Sequence, residues 1–227
     1  YLSESFSKTK EGKALREGVK HIELVTDEVF KNLSDTQTPQ GILALVKQYH
    51  YTLEEVAGGS RKSAQAEDLQ EKPALLMVLE TIQDPGNLGT ILRASEGAGV
   101  TGIVMDANTA DIYNPKVIRS TMGSVLRMPF VYVENLHETL EELKKKKIRL
   151  FAAHLQGKHA YDQEDYTGPA AFLIGNEGNG LTEETAAMAD TYIRIPMEGR
   201  VESLNAAVAA SVLMFEAARQ RRNHTGK

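Results

Sequence analysis

The sequence predicts an α/β protein with a mostly parallel sheet covered by helices on both faces. From residue 74 onward, short β-rich apolar runs alternate with helical stretches, as in parallel strands joined by helices. Several runs are apolar at every position, as in Leu75–Leu79 and Ala170–Ile174, which indicates strands buried on both faces.

The elements follow in a regular order. We predict strands at six apolar runs: 75–79, 102–105, 129–133, 148–153, 170–174 and 191–195. We predict helices at four stretches between or after them: 85–98, 135–147, 182–189 and 203–221. The last helix is apolar or small nearly all round from Leu204 to Phe215, so we expect it to be buried.

A small mixed α/β domain precedes this one. We predict helices near 8–18 and 26–33 and strands near 21–25 and 41–46. Residues 58–73 show almost no apolar periodicity, which predicts a linker between a domain of residues 1–57 and one of residues 74–227. The first domain begins as though a strand were entered midway, and it is small for an independent α/β unit. We therefore expect it to be truncated at its N-terminus.

Composition narrows the class of protein. The 227 residues are 41% apolar and 25% charged, which is ordinary for a globular protein, and we expect a cytoplasmic location. The absence of cysteine excludes disulfides, thiolate metal sites and cysteine nucleophiles. No apolar run approaches the roughly 20 residues of a membrane span. The net charge of −5 argues against a nucleic-acid partner unless the basic residues are clustered, as they partly are at 144–149 and 219–222.

The first candidate motif follows the strand at 75–79. A DPGN turn leads into a helix in which Asn87 can cap and Arg93 lies two turns further on. Taken alone, this pattern also fits a capped helix with a surface arginine.

The second motif is IGNEGNGLTEE, Ile174–Glu184, at the carboxyl end of a strand, where open α/β sheets bind ligands. Its glycines permit close backbone approach, but the lack of a following lysine argues against a nucleoside triphosphate. A glycine-rich turn is the simpler alternative.

The third motif follows a strand that breaks at Pro196. We predict that Ser203 begins the buried helix, so that Ser203 and Asn205 present a polar helix N-terminus to an electron-rich partner. The simpler alternative is that Ser203 only caps the helix.

Together the motifs resemble those of the SpoU-type RNA ribose 2′-O-methyltransferases of the SPOUT superfamily. The matching residues are Asn87-x-Gly89-x-x-x-Arg93, Ile174–Gly178, and Ile195–Met197 followed by Ser203–Ala207. The resemblance covers residues 74–222 in order and spacing. Residues 33–46 are similar to the substrate-binding domain of many rRNA-directed members.

The resemblance implies a C-terminal trefoil knot that holds S-adenosylmethionine, and a homodimer with active sites partly across the interface. It implies methyl transfer to a ribose 2′-hydroxyl of RNA, most directly 23S rRNA. The implied catalytic residues are Asn87, Arg93, Glu177, Ser203 and Asn205. The implied cofactor residues are Gly175, Asn176, Ile195, Met197, Leu204 and Asn205. Arg119, Ser120 and Arg127 are candidates for RNA contact, although a helix with surface arginines gives the same pattern.

The implied chemistry fits these residue types. S-adenosylmethionine has no phosphate, which suits a glycine loop without a lysine. Because the pKa of arginine lies above about 12, we expect Arg93 to position the target phosphate and hydroxyl, with proton relay as a further role. Glu177 would orient Arg93 or Asn87 through charge-assisted hydrogen bonds. We interpret His154 and His159 as loop residues and expect no metal.

Three alternatives stay open. One is a tRNA ribose 2′-O-methyltransferase, and another is a non-catalytic RNA-binding ribosome assembly factor on the same fold. The third is an ordinary, unknotted α/β nucleotide-binding protein. All five polar site positions are filled, which disfavours the non-catalytic factor.

Overall fold

The protein is described by a computed structural model over residues 1–58 and 73–224. The predicted linker, 58–73, lies outside the described residues except at its two ends. Contacts between Cα atoms divide the chain into two compact units, Tyr1–Tyr49 and His50–Lys227. This division falls earlier than the boundary at residue 57 expected from the sequence.

The smaller unit pairs two short parallel strands with three helices. Its elements are β1 (Leu2–Ser3), α1 (Glu4–Ser7), α2 (Lys10–Gly18), β2 (Leu24–Val25) and α3 (Asp27–Leu33). A serine or threonine hydroxyl caps each helix, which explains why these short helices begin where they do. The strand predicted at 41–46 is wrong, because only Ile42 forms a bridge, with Leu2, and the residues after it have no strand partner among the described residues.

The larger unit contains the remaining elements. Its helices are α4 (Leu53–Ala57), α5 (Pro85–Ala98), α6 (Pro115–Ser120), α7 (Leu136–Lys145), α8 (Glu183–Ala187) and α9 (Ala206–His224). Its strands are β3 (Leu75–Leu79), β4 (Gly102–Asp106), β5 (Phe130–Val133), β6 (Arg149–Ala153), β7 (His159–Ala160), β8 (Ala170–Ile174) and β9 (Thr191–Arg194). The helix α4 and the short strand β7 are elements that the sequence analysis did not predict.

The seven strands of the larger unit form one parallel sheet in the order β5-β4-β3-β8-β6-β9-β7. One core cluster lies between the sheet and helices α5 and α9, with Leu88 and Leu213 among its buried residues. A second cluster lies on the other face against α4, α7 and α8, with Val56 and Leu140 buried. The predicted parallel α/β sheet covered on both faces is therefore confirmed. The trefoil knot stays a prediction.

One residue of the last helix binds the segments that lead into two strands. On α9, the half-buried Arg221 donates hydrogen bonds from its guanidinium to four backbone carbonyls, those of Pro73, Ala74, Tyr166 and Gly168. These bonds join the last helix to the chain entering β3 and β8.

Within residues 1–58 and 73–224, no helix has both the length and the apolar character needed to cross a membrane.

Candidate active site

The site lies where the carboxyl ends of β3 and β8 meet. The two strands are adjacent and in register, with Leu79 opposite Ile174, so the loops that follow them start side by side. Beside them, at the carboxyl ends of β6, β8 and β9, opens a cleft of about 810 Å³. It is lined by residues 153–156, 174–181, 193–197 and 202–204, together with Ala206, Ala209 and Leu213 of α9. The predicted cofactor residues Gly175, Asn176, Ile195, Met197 and Leu204 all lie on this wall, and so does Ser203.

Helix α5 carries the first motif, and its cap differs from the one predicted. The Asp84 side chain accepts a hydrogen bond from the Asn87 backbone N–H at 2.8 Å, so the helix begins at Pro85. Asn87 does not cap the helix, which the sequence had left as an alternative, because the aspartate three residues earlier already does so. The Asn87 side chain is therefore available for other contacts.

The loop after β8 closes tightly on itself. The backbones of Asn176 and Gly180 exchange two hydrogen bonds of 3.0 and 2.9 Å, and Gly180 has a φ of 71°. A Cβ added to Gly175 would lie 2.1 Å from the Gly180 carbonyl carbon and from the Leu181 nitrogen. Closure of this loop therefore requires glycine at 175, whether or not a cofactor also needs the space.

Asn176 organises the same loop through its side chain. Its amide oxygen accepts hydrogen bonds from the backbone N–H groups of Gly178 and Asn179, at 3.0 and 3.1 Å. Its amide nitrogen donates to the Thr81 carbonyl at 2.9 Å. The polar atoms of this side chain are thus engaged within the protein.

Glu177 joins this loop to the start of α5. Its carboxylate accepts hydrogen bonds from the backbone N–H groups of Gln83 and Asp84, at 3.2 and 3.0 Å, and from the Asn87 side-chain amide at 3.0 Å. Partial burial raises the pKa of Glu177, but the hydrogen bonds from Asn87 and from these backbone groups outweigh burial and hold the pKa below its usual range. The carboxylate is consequently ionised at neutral pH.

The third motif completes a continuous network. Helix α9 begins at Ala206, and the Asn205 side-chain oxygen accepts hydrogen bonds from the N–H groups of Ala207 and Val208, at 2.9 and 3.3 Å. Asn205 therefore caps the helix, and the prediction that the helix starts at Ser203 is wrong. The other end of the Asn205 amide donates to the Asn87 side-chain oxygen at 2.9 Å. The three motifs thus meet in the order Glu177, Asn87, Asn205.

Arg93 lies outside this network. It is exposed on α5 and makes no hydrogen bond or ion pair within the described part of the chain. The Glu177 carboxylate contacts Asn87 and not Arg93, so of the two residues that Glu177 was expected to orient it orients Asn87. One turn beyond Arg93, a Cβ added to Gly97 would lie 3.8 Å from the Phe215 ring of α9.

The three candidates for RNA contact have different environments. The Ser120 hydroxyl donates to the Val117 carbonyl, and a Cβ at Gly89 would lie 1.7 Å from its oxygen, so Ser120 packs closely against α5. Arg127 forms an ion pair with Glu96 on α5. Arg119 is exposed. The structure therefore presents the two arginines to solvent and gives Ser120 a packing role.

Sequence reasoning missed several residues beneath the cleft. Glu80, which follows β3, and Asp106, the last residue of β4, are buried, and their carboxylates bind the adjoining loops. A carboxylate at the end of an apolar strand was the available signal, but its partners are distant in the chain.

His154 lines the cleft, and its Nδ1 accepts a hydrogen bond from the Gln156 N–H at 3.2 Å. No group of three or more histidine, aspartate or glutamate side chains within 1–58 and 73–224 is placed to hold a metal ion.

The fold of this chain is shared by solved methyltransferases, one of them a SpoU methyltransferase. The structure of AviRb from Streptomyces viridochromogenes in complex with AdoMet superposes with a TM-score of 0.81 at 26% identity, covering 97% of this chain and 81% of AviRb. An AdoMet-bound rRNA methyltransferase from Sinorhizobium meliloti gives a TM-score of 0.78 at 29% identity, covering 95% and 77% of the two chains.

Sequence comparison places the chain more narrowly. The SpoU rRNA Methylase family matches residues 74–215, and the domain described as RNA 2′-O ribose methyltransferase substrate binding matches residues 1–52. The 23S rRNA guanosine-2′-O-methyltransferase RlmP of Bacillus subtilis is 31% identical over 192 residues, which are 85% of this chain and 70% of RlmP. The chain belongs to the SpoU rRNA methylase family.

Proposed function

We propose that this protein transfers the methyl group of S-adenosylmethionine to a ribose 2′-hydroxyl of RNA, and that its substrate is 23S rRNA in the cytoplasm. The observation that carries this proposal is the network from Glu177 through Asn87 to Asn205, which gathers all three motifs beside the cleft. The similarity to RlmP supports rRNA as the substrate, and the family match of residues 1–52 supports RNA binding by the smaller unit.

The cleft suits S-adenosylmethionine. Its volume lies within the range of about 300–1,000 Å³ typical of small-molecule sites. Ile195 and Leu204 offer apolar walls for the adenosine, and the backbone of residues 175–180 offers hydrogen-bonding groups. The carboxylates of Glu177 and Glu202 also line the cleft and complement a positively charged sulfonium. The cofactor supplies an activated methyl group, so the protein has to align it and exclude water.

The residues around the cleft have different roles in methyl transfer. Ionised Glu177 fixes the Asn87 amide, which in turn fixes Asn205 at the start of α9. Arg93 extends from the same helix as Asn87 and binds the phosphate next to the target ribose. A planar guanidinium matches phosphate oxygens in a fork and so orients the 2′-hydroxyl towards the methyl group. Proton relay by Arg93 is a further role, because the hydroxyl must lose its proton as the bond to the methyl carbon forms.

We propose in addition that the protein acts as a homodimer through the exposed side of α9. Val208 and Phe215 lie two turns apart on this helix and are each 48% exposed. Gly97 of α5 adjoins Phe215, and Arg93 lies one turn before Gly97 on the same side of α5. A dimer through this surface would place Arg93 beside the partner subunit, which fits a site completed across an interface.

Methyl transfer to defined RNAs tests the proposed function. Purified protein is incubated with S-adenosylmethionine carrying a labelled methyl group and with 23S rRNA, 16S rRNA or bulk tRNA. We expect label in 23S rRNA at a linkage resistant to alkali, because a methylated 2′-oxygen cannot attack the adjoining phosphate. Label in tRNA alone would contradict the choice of substrate. Calorimetric binding of S-adenosylhomocysteine without transfer to any RNA would contradict the enzyme and favour an assembly factor.

A further inference from the structure

A residue beneath the active-site loops has an unusual backbone conformation. Thr81 follows β3 by two residues and has a φ of 57°, in the left-handed region that β-branched residues rarely adopt. Such a conformation persists only where surrounding contacts hold it, and it is frequent near functional sites. Because Thr81 is not a glycine, contacts with neighbouring residues must stabilise its positive φ.

Asp106, the last residue of β4, makes the contacts that stabilise this conformation of Thr81. Asp106 is 8% exposed, and its carboxylate accepts two hydrogen bonds from Thr81, one from the backbone N–H and one from the hydroxyl, both 2.8 Å long. The Thr109 hydroxyl donates to the same carboxylate at 2.7 Å and accepts from the Ile82 N–H. Asp106 thus binds both hydrogen-bond donors of Thr81, the backbone N–H and the hydroxyl, and is itself held by Thr109.

Thr81 in turn holds the beginning of the glycine loop. Its carbonyl accepts the hydrogen bond from the Asn176 side chain at 2.9 Å, and Asn176 immediately precedes Glu177. The neighbouring Glu80 holds the end of the same loop, because its carboxylate accepts hydrogen bonds from the Thr182 N–H and hydroxyl, both at 2.8 Å. Two consecutive residues therefore fasten both ends of residues 176–182.

We propose that Asp106 and Thr81 are positioning residues for methyl transfer. By keeping Thr81 in the left-handed conformation, Asp106 directs the Thr81 carbonyl at Asn176 and so sets where the Glu177 carboxylate meets Asn87. Neither residue lines the cleft, so their effect passes through Asn176. The effect on turnover rests on the proposed function, whereas the effect on the loop does not.

The proposal makes glycine at position 81 a specific rescue. Glycine adopts a positive φ without steric cost, so a glycine at 81 needs no side chain to hold it there. Asp106→Ala should release the loop, and Asp106→Ala combined with Thr81→Gly should restore it. If Asp106 contributed only to general stability, removing the Thr81 side chain as well would not help.

Hydrogen exchange of the full chain, measured by mass spectrometry on peptides covering 174–184, reports how well the loop is ordered and does not require enzyme activity. We expect Asp106→Ala to accelerate exchange there by about tenfold and the double variant to return it close to the wild-type rate. Turnover on 23S rRNA should follow, with kcat falling on the order of 10- to 100-fold in Asp106→Ala and recovering at least about tenfold in the double variant. Absence of methyl transfer by the wild-type protein would contradict the proposed function while leaving the exchange result to decide this inference.

Thr101→Val is the matched control. Thr101 is a buried threonine that also links β3 and β4, through hydrogen bonds with Leu75 at the opposite end of the strands. We expect it to lower Tm without changing exchange at 174–184 or kcat. If Asp106→Ala behaves like Thr101→Val, or if the double variant exchanges as fast as Asp106→Ala, the proposal is overturned.

A second pair of variants decides the matter if Asp106→Ala fails to fold. Thr81→Val keeps the shape and branching of threonine but removes the hydroxyl that Asp106 binds, so we expect faster exchange in the loop. Thr81→Gly should exchange at the wild-type rate. Equal exchange in Thr81→Val, Thr81→Gly and wild type would overturn the proposal.

Discussion

The Glu177 carboxylate accepts a hydrogen bond of 3.0 Å from the side-chain amide of Asn87, which lies 90 positions earlier in the chain. The same asparagine accepts a hydrogen bond of 2.9 Å from Asn205, 118 positions later. Asn87 is therefore the central member of a network that joins three separate segments. Because each amide uses one atom as donor and the other as acceptor, the orientation of one side chain fixes the next.

Glu177→Gln tests the network at its charged end. A glutamine offers one oxygen where the carboxylate offers two, so it cannot satisfy Gln83, Asp84 and Asn87 together. We expect kcat on 23S rRNA to fall on the order of 10- to 100-fold while the Kd for S-adenosylhomocysteine changes little. Single-turnover kinetics and calorimetry measure the two effects. Unchanged turnover would remove Glu177 from the proposed mechanism.

The pKa of Glu177 predicts a pH dependence with a definite sign. Hydrogen bonding lowers the pKa in the folded state below the reference value of 4.5, so the folded state binds this proton less tightly than the unfolded state does. The stabilisation is fully present above pH 4.5 and is lost as pH falls through the lower, folded-state pKa. We expect the Tm difference between wild type and Glu177→Gln to be constant near neutrality and to shrink under acid conditions. A difference that grows on acidification would contradict this assignment.

Gly175→Ala and Gly178→Ala form a matched pair within one loop. A Cβ at 175 would lie 2.1 Å from backbone atoms of residues 180 and 181, whereas the nearest neighbour of a Cβ at 178 would be an Asn176 side-chain oxygen at 3.5 Å. We expect Gly175→Ala to force the loop open and weaken S-adenosylhomocysteine binding by at least about tenfold. Gly178→Ala should bind within about twofold of wild type. Calorimetry distinguishes them, and equal affinities would show that loop closure does not shape the cleft.

Arg221 is expected to contribute to stability and not to chemistry. Burial lowers its pKa to about 10, so the guanidinium stays charged at neutral pH and donates to four carbonyls. Arg221→Met leaves those carbonyls without their donors, and we expect the free energy of unfolding to fall by about 2–4 kcal/mol. Lys145→Met, at an exposed position of α7, should change it by less than about 0.5 kcal/mol. Urea denaturation provides the comparison, and similar losses in both variants would contradict the role of Arg221.

Phe215→Glu tests the proposed dimer. A carboxylate placed at the centre of an apolar interface would lose its hydration without gaining a partner, so we expect a monomer by light scattering and a large loss of methyl transfer. Leu33→Glu, at a helix position of the smaller unit that is 50% exposed, is the control and should leave the oligomeric state unchanged. A wild-type monomer, or a dimeric Phe215→Glu variant, would contradict the proposed interface.

The sequence by itself determined the α/β class, most of the larger unit's strands and the residues of the three motifs. Runs such as Leu75–Leu79 are apolar at every position, and only a strand covered on both faces buries them all. The predicted strand at 41–46 failed because apolar character makes a strand possible but pairing with a neighbour makes it form.

Only the tertiary structure decided what each motif residue does. Asp84 and Asn87 are both good caps by composition, and which of them caps α5 depends on where Pro85 starts the helix. The contacts of Glu80 with Thr182, of Thr81 with Asp106 and of Glu177 with Asn87 join residues that local patterns treat as independent. They exist because β3 lies between β4 and β8 in the sheet, and strand order is fixed by packing of the whole chain, not by any short stretch of it.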